Sequence, residues 1–143
     1  MRKIIAAGLL LAVTQAVCAQ SAPQPILPDS LKWSNAAPGA AQSTMVVGAN
    51  DKAGLYSQRV RMPAGAKILP HTHPDERVSI VLEGTIYVGF GEKFDESKVV
   101  AVPAGATYVA PAGVPHYVWA KDGEAMYQEG GMGPTGAKFI PQE

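Results

Sequence analysis

The sequence predicts an all-β fold of the sandwich or barrel type, held in a single domain. Beyond Ser43, short runs rich in Val, Ile, Tyr and Thr alternate with breaks made of Gly, Pro, Asn or Asp, which is the pattern of strands and turns. These runs recur at spacings of about ten residues, as they do in antiparallel sandwiches and barrels. Helical spacing of apolar residues appears only briefly, over residues 92–97, so long helices are not expected.

Nine strands are predicted from these runs. Each ends at residues that favour turns, such as Asn50-Asp51, Glu83-Gly84 or a repeated Pro-Ala-Gly sequence. The strands are expected to form one barrel domain over residues 43–143, since the chain length matches one ordinary domain. The predicted strands cover residues 44–48, 55–62, 78–82, 85–89, 99–102, 107–110, 117–120, 125–129 and 138–140.

The first nineteen residues, 1–19, have the composition of a secretory signal peptide. Arg2 and Lys3 precede an apolar run over residues 4–13, and Val17-Cys18-Ala19 forms a small-residue cleavage site. The apolar run is about half as long as a membrane-spanning helix requires. We therefore expect cleavage near Ala19, a periplasmic or secreted location, and no membrane association after cleavage.

Removal of this segment leaves a chain without cysteine, because Cys18 is the only cysteine in the sequence. The mature protein is therefore expected to have neither a disulfide nor a thiolate metal ligand. It has two more acidic than basic residues and no basic run in its sequence. Nucleic acid is therefore excluded from the expected partners.

Residues 20–42 are predicted to form an extended N-terminal arm. Pro23, Pro25 and Pro28 stand too close together for a helix or a central strand. Trp33 is the aromatic residue of this arm, and it is expected to dock either onto the barrel or onto a second subunit. The second arrangement would make the protein a homodimer.

The three histidines carry the strongest chemical signal in the chain. His71 and His73 are two residues apart, which places both imidazoles on one face if they lie on a strand. His116 follows the turn Pro111-Ala112-Gly113 at the start of a later strand. Neutral imidazoles suit Zn, Fe, Ni or Cu, and a nearby carboxylate widens the choice towards Mn and Fe. The spacing alone does not bring His116 to the other two histidines.

The segments around these histidines resemble the two sequence motifs of the cupin superfamily. The first motif is matched by Gly65-x5-His71-x-His73 and then by Gly84. The second motif is matched by Gly105-x5-Pro111-x-Gly113-x2-His116, with Ala120 at the position where the family has asparagine. The chain is therefore identified as a member of this superfamily, similar to small secreted single-domain cupins of the RmlC-like type.

The resemblance implies a double-stranded β-helix, the jelly-roll barrel of cupins, in which the two motifs form facing hairpins. It also implies that His71, His73, a glutamate of the first motif and His116 hold one divalent cation inside the barrel. Fe, Mn, Zn and Ni are all candidates for that cation. A small molecule is the expected partner, bound beside the cation as ligand or substrate.

Two interpretations of the fourth ligand remain open, because Arg77 occupies the glutamate position of the first motif. In the first, Pro74 and a shortened turn bring Glu76 into that position, and a bulge before Val81 restores the strand register. The metal site then consists of His71, His73, Glu76 and His116. We favour this interpretation, since a buried arginine beside a dication is costly without an anion.

In the second interpretation the register is kept, and Arg77 points into the cavity with Ser79 and Val81. Three histidines alone then hold the metal, and Arg77 binds an anionic substrate through its two-pronged guanidinium. Of the neighbours Gln128 and Glu129, one must point inward, and Gln128 is the predicted substrate contact. Arg77 and Gln128 are thus the predicted substrate-binding residues, and no catalytic residue is assigned.

These predictions favour a metal-binding cupin that binds or acts on a small molecule in the barrel. If the protein is an enzyme, a metal-dependent oxygenase or isomerase is expected, because such a metal site leaves positions open for substrate or oxygen. The alternative is a non-enzymatic module of the same fold that binds a small ligand or a metal, since one fold hosts many functions.

Overall fold

A computed structural model describes residues 24–142 of the chain. The predicted signal peptide, Cys18 and the first residues of the predicted arm lie outside this range. No helix within residues 24–142 is long and apolar enough to cross a membrane. The regular structure consists of β1 (Gln42–Val47), β2 (Gly54–Met62), β3 (Lys67–Thr72), β4 (Arg77–Glu83), β5 (Thr85–Phe90), β6 (Val100–Pro103), β7 (Thr107–Ala110), β8 (His116–Trp119), β9 (Ala125–Gly133), β10 (Lys138–Phe139) and two short 3-10 helices, Pro28–Ser30 and Glu96–Lys98.

The ten strands form two five-stranded antiparallel sheets. The first sheet has the order β1-β2-β9-β4-β7, and the second has the order β10-β3-β8-β5-β6. Apolar side chains of both sheets meet in one core, which includes Val60, Val81 and Tyr127 of the first sheet and Ile86 and Val118 of the second. Strands that are distant in the sequence lie side by side in both sheets, and the predicted all-β jelly-roll architecture is confirmed.

Strand β3 is not among the nine predicted strands, although it carries His71. The reason is Pro70, because proline cannot donate a hydrogen bond to the ladder and is rare in central strands. The structure accommodates this proline through an irregularity in the pairing of β3 with β8, between Ile68 and His71. No strand was therefore predicted for the segment that carries His71.

Strands β4 and β9 are neighbours in the first sheet and carry the polar residues of the barrel interior. Arg77 and Ser79 are buried on β4, while the residues that alternate with them are exposed. Tyr127 and Glu129 are buried on β9, which continues past its predicted end at residue 129 to Gly133. The register pairs Ser79 with Glu129. The two-residue period of the strands therefore brings Arg77, Ser79 and Glu129 to one inward face.

The N-terminal arm lies against the barrel of its own chain. The guanidinium carbon of Arg61 lies 4.4 Å from the centre of the Trp33 ring, which is a cation–π contact. The amide of Ser34 donates to the carbonyl of Ser43 at 2.8 Å, and the Ser34 hydroxyl accepts from the Ser43 amide at 3.0 Å. Trp33 is thus docked onto the barrel, which is the first of its two predicted arrangements.

Candidate metal centre

Three buried histidines lie together inside the barrel. His71 lies on β3, His73 follows the last residue of β3, and His116 is the first residue of β8. The register of β3 and β8 pairs His71 directly with His116, so the two sequence motifs meet. One ligand nitrogen of each residue lies within 4.8 Å of the other two. Nitrogens bound to one cation at about 2.1 Å are at most about 4.2 Å apart, so the three histidines lie close to the separation that one shared cation requires.

Each of these imidazoles is oriented by a backbone carbonyl. The Nδ1 atom lies 2.7 Å from the Leu69 carbonyl in His71, 2.6 Å from the Gly136 carbonyl in His73 and 3.2 Å from the Val114 carbonyl in His116. Because a carbonyl oxygen only accepts, each Nδ1 carries the proton and donates it. The lone pair of each ring is therefore on Nε2, the arrangement that orients histidine ligands in metal sites.

Burial keeps these imidazoles in the neutral form that binds metals. It lowers the pKa of His73 to about 4, although the hydrogen bond to Gly136 acts in the opposite direction. Burial, together with the charge of His71, lowers the pKa of His116 to about 4. The pKa of His71 is also lowered, again chiefly by burial. Near pH 7 all three rings are neutral, so the donor set fits a divalent cation that accepts imidazole nitrogen, such as Zn, Ni or Fe.

The structure does not bring Glu76 to the histidines. Glu76 is exposed just before β4, whereas Arg77, the first residue of β4, is 2% exposed. Among residues 24–142, no carboxylate joins the three-histidine group. The physical reason is the strand register: the irregularity in β4 falls between Val81 and Glu83, after the site, so nothing shifts Glu76 inward. The geometry thus differs from the favoured interpretation and keeps Arg77 in the inward position.

Arg77 lines the cavity, but its guanidinium is already engaged. Its Nη1 donates to Oε1 of Glu129 at 2.8 Å. Its Nη2 donates to the Thr135 hydroxyl at 2.5 Å and to Oδ1 of Asp75 at 3.4 Å. Its Nε is buried and has no partner within the described part of the chain. The terminal nitrogens that would bind an anionic substrate are therefore engaged by Glu129, Thr135 and Asp75 of the protein itself.

Glu129, rather than Gln128, is the residue of β9 that faces the cavity. Glu129 is 5% exposed, and its Oε1 accepts from Nε2 of Gln58, which lies directly across the β2–β9 pairing. Gln128 points to the other side of the sheet, where its Oε1 accepts from Nε and Nη2 of Arg59 at 3.1 and 2.8 Å. Glu129 thus lines the cavity and Gln128 does not, because the strand alternation follows the buried Tyr127.

Asp75 extends this polar network behind the cavity wall. Its Oδ2 accepts from the Tyr56 hydroxyl at 2.5 Å, and its Oδ1 accepts from the Thr135 hydroxyl at 2.5 Å. Burial opposes ionisation of Asp75, but these hydrogen bonds and the charge of Arg77 outweigh it and hold its pKa below the usual range. The same burial and the Asp75 hydrogen bond raise the pKa of Tyr56 to about 12.

The three histidines and the Arg77–Glu129 pair share one cavity of about 300 Å³. This volume is at the low end of the range for small-molecule sites. Apolar side chains form part of the wall, and polar groups form the rest. The cavity is lined by Ala41, Gln42, Ser43, Asn50, Gln58, Val60, Ile68, His71, His73, Arg77, Tyr108, His116, Tyr127, Glu129, Thr135, Gly136, Ala137 and Phe139.

Several proteins of known structure have a fold similar to that of this chain. An RmlC-like cupin from Shewanella frigidimarina is 17% identical with a TM-score of 0.60, over 74% of this chain and 86% of that one. The polyketide cyclase RemF from Streptomyces resistomycificus is 16% identical with a TM-score of 0.67, over 85% and 87%. The DMSP lyase DddQ from Ruegeria pomeroyi is 19% identical with a TM-score of 0.65, over 80% and 64%. These likenesses concern the fold.

Sequence comparison gives a family match but no individual relative. No curated protein has significant sequence similarity to the chain. The family model of the cupin domain matches residues 58–127, a span that includes all three histidines and strands β3 to β8. With its jelly-roll topology and this match, the chain belongs to the cupin superfamily.

Proposed function

We propose that this cupin binds a divalent cation through His71, His73 and His116 and uses it to act on a small molecule in the barrel. The observation that carries the proposal is the convergence of three buried, neutral imidazoles whose ligand nitrogens lie within 4.8 Å of one another. Their Nδ1 atoms are all engaged with backbone carbonyls. Three buried donors, each held in place by a backbone carbonyl, are the arrangement expected of a metal centre that keeps a position for substrate.

The donor set also bears on the choice of cation. Imidazole suits Zn, Ni and Fe(II), whereas Mn prefers sites richer in carboxylate oxygen. Because the group contains nitrogen donors only, Fe, Zn and Ni are the cations that we propose ahead of Mn. When bound, such a cation supplies Lewis-acid or oxygen-activating chemistry.

The protein's own residues define how a substrate would be held. Val60, Ile68 and Phe139 give the cavity apolar surface that keeps bulk water away from the ligand. Gln58 and Glu129 supply polar groups that are fixed by contacts within the sheet. A substrate of the size that fits about 300 Å³ is thus held between an apolar wall and a rigid polar wall beside the histidines.

Two of the structurally similar proteins are enzymes according to their names, one a polyketide cyclase and the other a DMSP lyase. Both names refer to chemistry on small molecules, which supports the proposal of a small-molecule enzyme without selecting a reaction. A non-enzymatic binding module is the second candidate. It is favoured by the lack of a carboxylate in the histidine group among residues 24–142, since carboxylates often complete catalytic metal sites.

Metal analysis of purified protein tests the proposal directly. Wild-type protein loaded with Zn, Ni or Fe(II) and freed of excess metal is expected to retain one equivalent, measured by elemental analysis. The His73→Ala and His116→Ala variants are expected to lose most of it, because two imidazoles hold a cation far less tightly than three. Gln128→Ala, which changes the far side of the sheet, is the matched control and is expected to keep it. Full metal retention in both histidine variants would contradict the proposal.

Turnover assays separate the two candidate functions. Small molecules that raise the melting temperature of the metal-loaded protein are incubated with it and then analysed by mass spectrometry. Conversion that requires both the metal and His116 indicates an enzyme. Recovery of every stabilising compound unchanged indicates a binding module.

We also propose that the protein is exported, on the basis of its first nineteen residues. The mature chain is expected to begin at Gln20. Amino-terminal sequencing of the protein from the periplasm or medium of its own host checks this. Recovery from the cytoplasm with an intact Met1 would contradict export.

A further inference from the structure

The further inference concerns Glu129, the only carboxylate among the residues that line the cavity. Its Oε1 accepts from Nη1 of Arg77 at 2.8 Å and from Nε2 of Gln58. Its Oε2 receives only a long contact of 3.4 Å from the Ser79 hydroxyl. A carboxylate offers about four acceptor sites, and a buried one is costly when those sites stay unfilled. Oε2 therefore has unused acceptor capacity in the wall of the cavity.

Arg77 does not compete with Glu129 for the ligand. Both of its terminal nitrogens already donate within the protein, and its Nε, which has no partner among residues 24–142, is buried away from the cavity space. Asp75 is satisfied by Tyr56 and Thr135, and it does not line the cavity. The polar network thus contains two carboxylates and one guanidinium, so its fixed charge is negative overall. Such a wall attracts hydrogen-bond donors of a ligand.

Glu129 also lines the same cavity as His71, His73 and His116. Because this cavity has a volume of only about 300 Å³, a ligand that fills it would lie between Glu129 and the cation that the histidines are proposed to hold.

We infer that Glu129 selects ligands by accepting a hydrogen bond from a ligand hydroxyl, so that small α-hydroxy compounds bind in preference to their oxo counterparts. The inference rests on the proposed function, because the carboxylate end of such a ligand is assigned to the cation. An oxo oxygen at the same place would face the Oε2 lone pairs, and two acceptors repel each other. The substrate class of the site is thus a hydroxyl-bearing small molecule able to chelate a metal.

Lactate and pyruvate are the probes that test this inference. They have the same charge and the same number of heavy atoms, but lactate has a hydroxyl donor where pyruvate has an oxo acceptor. Calorimetric titration of the nickel-loaded protein is expected to give tighter binding of lactate. Glu129→Gln places an amide of equal size there, and its NH₂ group favours the oxo oxygen. We expect the ratio of the lactate to the pyruvate dissociation constant to rise about tenfold or more in this variant, as for loss of a hydrogen bond to a charged group.

The control is Gln128→Ala, which changes the other face of the same strand and is expected to keep the wild-type ratio. Circular dichroism and the melting temperature show whether Glu129→Gln folds. Should it unfold, the Arg77→Gln/Glu129→Gln double variant removes both charges of the pair and is expected to show the same altered ratio.

Metal content is measured before each titration, so that the two proposals fail in different ways. Absence of metal from the wild-type protein overturns the proposed function. If metal is bound, the inference about Glu129 is overturned by either of two results. The first is that lactate binds wild type no more tightly than pyruvate does. The second is a ratio that is unchanged in the folded Glu129 variant.

Discussion

Replacing Arg77 by methionine removes the buried cation that joins Glu129 to Asp75. Arg77 is 2% exposed, and the side chains of the two carboxylates are 5% and 7% exposed. Methionine fills a similar volume, but it leaves both carboxylates in the interior without a counter-charge. Breaking a buried pair in this way costs about 3–5 kcal/mol of the free energy of unfolding.

Glu129→Gln is expected to cost less, about 1.5–3 kcal/mol, the contribution of a hydrogen bond to a charged group. In this variant Arg77 keeps Asp75 and Thr135 as partners, and the amide oxygen still accepts from Nη1. The Arg77→Met/Glu129→Gln double variant is expected to be more stable than Arg77→Met alone. The double variant no longer buries the second uncompensated carboxylate, so the two substitutions are not additive.

Urea denaturation of metal-free protein, followed by circular dichroism, measures these differences. For a domain of this size, 1 kcal/mol corresponds to about 4 °C in melting temperature. A loss of about 12–20 °C is therefore expected for Arg77→Met. Equal and small losses in the two single variants, or strict additivity in the double variant, would refute the view that Arg77 is a structural counter-charge.

Three further predictions concern the turns, the pH dependence and the metal. Gly84 has φ +68° and an added Cβ would lie 2.2 Å from the Glu124 carbonyl oxygen, whereas Gly105 has φ +85° with open space around it. Gly84→Ala is therefore expected to cost over about 2 kcal/mol by urea denaturation and Gly105→Ala about 1 kcal/mol. The pKa values of His73 and His116 are lowered from 6.5 to about 4, so the unfolded chain binds more protons between these values. The stability of metal-free protein is thus expected to fall as the pH falls from 6.5 to 4, by up to about 1.4 kcal/mol per unit for each histidine; a flat profile would contradict this. Removal of metal by a chelator is expected to lower the melting temperature, since a cation at a hundred times its dissociation constant adds about 2.7 kcal/mol.

The all-β fold and the shared face of His71 and His73 could be predicted from the sequence, because both depend on short local patterns. Turn residues at short intervals predict the strands, and the spacing of His71 and His73 predicts that their rings share one side. The contact with His116 depends on the pairing of β3 with β8, which only the family resemblance implied. Pro70 concealed β3 itself, because its local preference argues against a central strand.

The polar wall of the cavity was harder to predict, because it depends on register and on distant partners. Whether Glu76 or Arg77 points inward depends on where the irregularity in β4 lies, and local sequence patterns do not give that position. The inward position of Glu129 rather than Gln128 could have been predicted from the sequence. Tyr127 is apolar enough to point inward, and the alternation of the strand then places Glu129 on the same face. Arg77 donates a hydrogen bond to Thr135, which is far from it in the chain. No local sequence pattern predicts this contact.

The short strand β10 and the residues just before it contribute to the surroundings of the candidate metal centre. Phe139 pairs with His71 and forms part of the cavity wall, and the Gly136 carbonyl orients His73. A two-residue strand whose residues are both exposed opens at a lower free energy than the sheets behind it. Opening of β10 would remove Phe139 from the cavity wall and free the contact that orients His73, while the other strands of both sheets stay folded. We therefore expect substitutions in β10 to alter exchange of the proposed cation more than they alter global stability.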